Sequence, residues 1–217
     1  MRAVLLDLDG TLVDRDAALR ACLRRRAGLT GVEVERLLEL DRADSGSLTA
    51  LSVALLQLRP GLGPDVGTLA GRLRQQLPDF IKPDAAIGRA LTRLTRAKLR
   101  LALVTNGGPS QRRKLAAAKI AEQVFASIQV SGELGHAKPE PAIFQAALAG
   151  LGVAANQALM IGDTAHADIA GAARLEIPSC WLSHRRRYPA SCPAPTLIAI
   201  DLPEAVDALL ASDRVFS

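Results

Sequence analysis

Val4-Leu5-Leu6-Asp7-Leu8-Asp9-Gly10-Thr11-Leu12-Val13-Asp14, close to the N-terminus, decides the fold class. Val4, Leu5 and Leu6 form a continuous apolar run, the pattern of a strand buried on both faces of a parallel sheet. The run breaks into two carboxylates at i and i+2, then Gly10 and Thr11. Residues two apart on a strand share a side, so Asp7 and Asp9 can converge at its carboxyl end. Gly10 permits the sharp turn that carries the chain away. Open α/β sheets bind ligands in the crevice beyond the carboxyl ends of their strands. Carboxylates that close repel one another, and a divalent cation relieves the repulsion. A second reading stands beside this one: aspartates are also common turn residues where strands stop. The rest of the chain decides between them.

A chain of 217 residues suits one α/β domain with an insertion, or two small domains. Hydrophobic residues make up 49% and aromatic residues 3%, so aliphatic and alanine packing must supply the core. The net charge of +5 comes mostly from arginines scattered through helical segments with no aromatic platform. Such arginines describe solvated helix faces with a tilt towards small anions, and no nucleic-acid partner is expected. Cys22, Cys180 and Cys192 show no CxxC spacing, which indicates neither a disulfide framework nor a zinc site. An acidic pair stands where a signal peptide needs an apolar core, and no apolar run reaches membrane-spanning length. A soluble, cytoplasmic protein without a membrane partner is expected, as a monomer or homodimer.

From Arg15 to about Gln76 the texture is helical, with Ala17-Ala18-Leu19, Cys22-Leu23, Val34, Leu37-Leu38, Leu48, Leu51 and Leu55-Leu56 at helical spacing. Breaks at Gly28, Gly31 and Arg59-Pro60-Gly61-Leu62-Gly63-Pro64 divide it into three or four helices, with Ser45 and Ser47 as candidate N-caps. The block is too long for one crossover. It divides the chain into a core of residues 1–13 and 83–217 and an inserted helical domain of residues 14–82. After Pro83, helices at Ala85–Lys98, Ser110–Ala118, Pro141–Leu151, Ala165–Leu175 and Leu202–Ala211 alternate with strands. The strands are Leu101–Val104, Ser127–Ser131, Ala158–Ile161, Ser179–Leu182 and Thr196–Ile200. This alternation predicts a parallel, doubly wound sheet.

Three strand ends then carry polar chemistry. The first brings Asp7 and Asp9; the second Thr105 and Asn106, with the Asn106-Gly107-Gly108 turn as an anion cradle; the third Gly162-Asp163, with Asp168 close behind. Lys138 stands in the stiff loop Ala137-Lys138-Pro139-Glu140-Pro141. An anionic tetrahedral substrate would use all of them. A carboxylate attacks phosphorus while Mg²⁺ offsets the repulsion between anions. A hydroxyl, backbone N–H groups and an ammonium bind the equatorial oxygens. A second carboxylic acid protonates the leaving oxygen and then activates water.

Asp7-Leu8-Asp9-Gly10-Thr11-Leu12, Thr105-Asn106-Gly107, Lys138-Pro139-Glu140-Pro141 and Gly162-Asp163…Asp168 resemble the four ordered motifs of the haloacid dehalogenase (HAD) superfamily of phosphohydrolases. Each motif alone is weak, but four in order on successive strand ends outweigh the turn reading. The resemblance implies a Rossmann-like parallel-sheet core with an inserted helical cap, Mg²⁺ as cofactor and a small phosphate ester as substrate. It also implies roles. Asp7 is the nucleophile that becomes an aspartyl-phosphate. Asp9 is the general acid/base and gives the metal its backbone carbonyl. Thr105, the Asn106 turn and Lys138 bind phosphate; Asp7, Asp9 and Asp163 hold the metal, supported by Asp168. Dehalogenases lack the second aspartate of the first motif, so Asp9 favours phosphate ester hydrolysis over carbon–halogen cleavage.

The stretch Ile161–Ala172, running on to Ser179-Cys180-Trp181-Leu182, is similar to the subgroup of pyrimidine 5′-nucleotidases and house-cleaning nucleotidases, and phosphoglycolate phosphatases share most of it. Leu175-Glu176 replaces the Ala-Gly that commonly closes the last motif's helix, a loss of about 1 kcal/mol locally. Two rival functions are a phosphomutase of the same superfamily and a non-catalytic or nucleic-acid-binding protein on this fold. His136 and His166 are read as loop histidines, and Cys22 and Trp181 as core. The basic run His184-Arg185-Arg186-Arg187-Tyr188 is read as a solvated loop, and one of Arg15, Arg20 and Arg24 is a candidate for reaching substrate.

Overall fold

The computed structural model describes residues 1–43, 48–58 and 66–211. Two compact units emerge, Met1–Val13 with Pro83–Ser217, and Asp14–Lys82.

The first unit is built on a six-stranded sheet, every pairing parallel, in the order β3-β2-β1-β4-β5-β6. The strands are β1 (Ala3–Leu6), β2 (Arg100–Thr105), β3 (Ser127–Val130), β4 (Ala158–Gly162), β5 (Ser179–Leu182) and β6 (Leu197–Ala199). β1 and β4 are buried along their whole length, as their apolar runs require. Strand alternation sends Ala3, Leu5, Ala102, Val104, Ala158 and Met160 into one cluster with Ile143, Phe144, Ala147 and Leu151 of the helix Pro141–Leu151. Their neighbours Val4, Leu6, Leu101 and Leu103 are equally buried and project from the opposite face. The helix Leu202–Ala211 packs on α5 (Ala85–Arg96), against β5 and β6.

The strand order reverses direction between β1 and β4, which opens a crevice beyond their carboxyl ends. Leu6 pairs with Leu103 on one side and Ile161 on the other, so the residues just past these three strands emerge side by side.

The second unit holds α1 (Arg15–Ala27), α2 (Gly31–Ala43), α3 (Leu48–Leu58) and α4 (Val66–Gln76), closed by a 3₁₀ turn at Leu77–Phe80. Asp14 caps α1 by accepting from the Ala17 N–H at 2.8 Å, and Gly28 ends it at φ +61°. Thr30 and Glu33 form a reciprocal capping box that starts α2. Leu19, Cys22 and Leu23 of α1 are buried, as are Val34, Leu37 and Leu38 of α2, Leu55 of α3 and Leu73 of α4. Arg20 is held by Glu35 at 2.7 Å. The Cys22 thiol lies 3.6 Å from the Leu73 carbonyl, and burial pushes its pKa up to about 11, as a packing role requires. The caps expected at Ser45 and Ser47, and the break at residues 59–64, lie outside the described residues.

One element departs from expectation. Ala165–Leu175 is not a single α-helix. Ala165–Ile169 forms a wide π turn, and only Ala170–Ala173 is α-helical. The extra width lets the Asp168 carboxylate turn back and accept from the Thr164 N–H at 2.9 Å. Single π turns recur at functional sites. At the far end Ile177 N–H donates to Ala172 O and Glu176 N–H to Ala173 O, a complete Schellman closure. Glu176 occupies its left-handed position at φ +56°, which strains any residue with a Cβ. Glu176→Gly is therefore expected to stabilise the protein by about 0.5–1 kcal/mol, raising the thermal midpoint by about 2 °C. A lowered midpoint would contradict the assignment of strain at this position.

Candidate active site

Asp7, directly after β1, is 5% exposed and faces Lys138, which is 6% exposed. The Lys138 ammonium donates to Asp7 Oδ1 and to Asp168 Oδ1, each at 2.6 Å. Its backbone is fixed by a two-point amide clamp. Lys138 N–H donates to Asn106 Oδ1 at 2.8 Å, and Asn106 Nδ2–H donates to Lys138 O at 2.9 Å. The side chain of Asn106 thus orients the lysine.

Asp163 follows β4 from the other side of β1. Its carboxylate packs against Gly10, where an added Cβ would lie 2.6 Å from Asp163 Cγ while φ is +81°. Only glycine serves at a turn so strained and so close. Gly162 is likewise needed, because a Cβ there would collide with the Asp168 carboxylate. Carboxylate oxygens of Asp7, Asp163 and Asp168 all lie within 4.8 Å of one another.

This cluster carries more negative charge than its cations offset. Burial raises the Asp7 pKa from 3.8 to about 7, against the pull of Lys138 and reinforced by the charges of Asp168 and Asp9. Burial also raises Asp163, with Asp7 adding to it and Arg186 opposing, and raises Asp168 against Lys138. Burial works against the Lys138 ammonium, yet Asp168 and Asp7 outweigh it and hold its pKa above the usual lysine range. An oxygen-only donor set with surplus buried charge fits a hard divalent cation.

The Asp9 carboxylate does not join that cluster. It turns to the helix α6, Ser110–Ala117, and accepts from Lys114 Nζ at 2.8 and 2.5 Å and from Gln111 Nε2 at 3.1 Å. Gln111 Nε2 also lies 2.6 Å from Thr105 Oγ1. The chain therefore gathers Asp7, Asp163, Asp168 and Lys138 at one point, with Thr105 and Asp9 joined beside it through α6.

The basic run after β5 is solvent-exposed at residues 184–187, as the sequence reading expects of a loop, and two of its residues also hold the strand ends. His184 and Arg185 adopt left-handed backbone, with φ +45° and +64°, and fold the run back onto the strand ends. His184 Nε2 lies 2.7 Å from Gly10 O, and Arg186 Nη2 donates to Asp163 O at 2.9 Å and to Asp163 Oδ2 at 3.0 Å. Trp181 is buried, as expected, but its indole N–H also donates to Asp163 O at 2.8 Å. The Arg186 guanidinium lies 5.6 Å from the Trp181 ring centre. Asp7, Thr105 and Asp163 at the ends of adjacent parallel strands, joined by Lys138 from a loop and Asp168 from the π turn, form a hydrolase-type site of the α/β class.

The comparisons with known proteins agree. The model of the haloacid dehalogenase-like hydrolase family matches residues 1–175, and the chain belongs to that family. A phosphoserine phosphatase of Thermus thermophilus is 36% identical over 134 residues, 61% of this chain and 52% of its own. A phosphoglycolate phosphatase of Rhodospirillum rubrum is 30% identical over 206 residues, 84% of this chain and 80% of its own. This chain thus spans about half the length of curated relatives such as the Thermus enzyme. Among solved structures, the HAD-hydrolase YfnB of Bacillus subtilis, bound to magnesium, has a TM-score of 0.80 at 22% identity, covering 96% of this chain and 98% of its own, and so shares the fold. Among the described residues, no helix is long and apolar enough to cross a membrane.

Proposed function

We propose that the chain is a Mg²⁺-dependent phosphomonoester hydrolase that acts through an aspartyl-phosphate on a small phosphorylated metabolite of the cytoplasm. The observation that carries this reading is Lys138 Nζ, bridged between Asp7 and Asp168 at 2.6 Å each, with Asp163 completing a buried acidic cluster. A lone structural ion pair needs one carboxylate. Here Asp7 and Asp168 share Lys138, and Asp163, met by Arg186, stands within 4.8 Å of both, so three acids converge on a strand-end crevice that favours a further cation.

Asp7, Asp163 and the backbone carbonyl of Asp9 would hold the metal, with Asp168 in support. When bound, Mg²⁺ supplies the positive charge that lets an anionic nucleophile and an anionic ester approach. The remaining chemistry belongs to the chain. An Asp7 carboxylate oxygen attacks phosphorus, the P–O bond to the leaving group breaks, and Asp9, entering this step as the carboxylic acid, gives its proton to the departing oxygen. Asp9, now a carboxylate, takes a proton from water, which attacks the aspartyl-phosphate and restores Asp7. Thr105, the backbone of the Asn106 turn and Lys138 bind the equatorial oxygens throughout. The helical unit Asp14–Lys82 is assigned the part of a cap that selects the substrate. Similarity to a phosphoserine and a phosphoglycolate phosphatase brings phosphorylated acids into the substrate range. Nucleoside 5′-monophosphates belong to the same range by motif resemblance.

Phosphate release from phosphoserine, phosphoglycolate, nucleoside monophosphates and sugar phosphates, with Mg²⁺ and with EDTA, tests the reading. Turnover that EDTA abolishes and Mg²⁺ restores is the expected result. No release from any ester, or release indifferent to EDTA, would overturn it.

A further inference from the structure

The proposed mechanism leaves two buried polar side chains of α6 without a part. Gln111 is 2% exposed and Lys114 6% exposed. They stand three residues apart and so share one helix face. A buried ammonium is costly unless paired, so a lysine held here must answer to a specific partner. That partner is Asp9, which receives Lys114 Nζ on both oxygens, at 2.8 and 2.5 Å.

Gln111 joins this pair to the phosphate-binding hydroxyl. Its Nε2 lies 2.6 Å from Thr105 Oγ1, 3.1 Å from Asp9 Oδ2 and 3.1 Å from Asn106 O. An amide nitrogen only donates. Thr105 Oγ1 therefore accepts from Gln111, and its own hydroxyl proton is left to point at another acceptor. Gly107 makes room for this arrangement, since a Cβ there would lie 2.8 Å from Gln111 Cδ.

We propose that Gln111 and Lys114 are positioning residues that fix the Asp9 carboxylate beside the Thr105 hydroxyl, so that the leaving oxygen and the phosphoryl group are met in one geometry. The inference rests on the hydrolase reading and deepens it. Gln111 bonds to both groups and Lys114 to Asp9.

The experiment compares an alkyl phosphate, whose leaving group needs a proton, with 4-nitrophenyl phosphate, whose leaving group does not. General acid catalysis is worth roughly 10²–10⁴-fold where it is needed. Lys114→Met is expected to lower kcat on the alkyl ester by about 10²-fold and on the aryl ester by less than about 3-fold. In an Asp9→Asn background, Lys114→Met should add less than about 2-fold, because a residue acting through Asp9 has nothing left to position. Gln111→Leu should also raise KM for both esters, through Thr105. Lys114→Arg, which keeps the charge and moves its point of contact, serves as the second variant should Lys114→Met fold poorly, and is expected to show a smaller loss confined to the alkyl ester. Equal losses on both esters, or full additivity with Asp9→Asn, would overturn the assignment. Wild-type protein inert towards both esters would remove the hydrolase reading itself, and this inference with it. An active wild type with ester-independent losses removes only the positioning role.

Discussion

Asp7→Asn is expected to lower phosphate release by roughly 10⁴-fold or more while leaving the protein as stable as the wild type, or more so. The two halves of this result have separate causes. Asparagine keeps the shape of the aspartate and still offers an oxygen to Lys138, but it is no nucleophile towards phosphorus. Asp7 is also unfavourable as a charge where it stands, since burial raises its pKa to about 7 in the company of Asp168 and Asp9. Replacing it with a neutral group removes repulsion from a crowded acidic cluster and leaves Lys138 paired with Asp168 at 2.6 Å. Stability given up for function is the common trade at active sites. Steady-state phosphate release and a thermal melt on the same preparation check both halves. Undiminished turnover would sink the assigned nucleophile, and a large loss of stability would recast Asp7 as a structural partner of Lys138.

Much of this site was legible in the sequence because strand ends mark themselves. The apolar runs of β1, β2 and β4 stop abruptly at Asp7, Thr105 and Gly162-Asp163, and parallel pairing then brings these polar ends together in one crevice. Other features carried no such mark. Ala165–Ile169 has an ordinary helical pattern; its π turn accompanies the long-range bond of Asp168 to Lys138, which local preference does not encode. Gln111 and Lys114 lie in the polar stretch Ser110-Gln111-Arg112-Arg113-Lys114, whose residues are indistinguishable by type from solvated helix positions. What singles out Gln111 and Lys114 is the helix face they share, and that becomes visible only once α6 is set against the ends of β1 and β2. Arg186 was hidden in a run of like charges, where the positive φ of His184 and Arg185 turns the chain back on Asp163. In each case the missing information was a long-range contact, not a propensity.

Lys138→Met should be the most destabilising of the site variants. Its side chain is 3% exposed between carboxylates that are 7% and 0% exposed, so the change strands two acids in a dry site. Removing one partner of a buried ion pair costs about 3–5 kcal/mol. The pH dependence identifies the cause. An acid whose pKa is raised on folding disfavours the folded state as pH climbs past its unfolded value, here from 3.8 towards about 7 for Asp7. Lys138 opposes that rise in the wild type; without it the Asp7 pKa moves higher still, and so does that of Asp168. The deficit of Lys138→Met should therefore hold level between about pH 4 and 7, where Asp7 keeps its proton in both folded proteins, and should grow from neutral towards about pH 9, where the wild type releases that proton first. Urea unfolding of both proteins in EDTA at several pH values measures it directly. A deficit that stays constant across that range would show that the lysine is held there by packing of its stem, and that its charge is not what keeps Asp7 and Asp168 together.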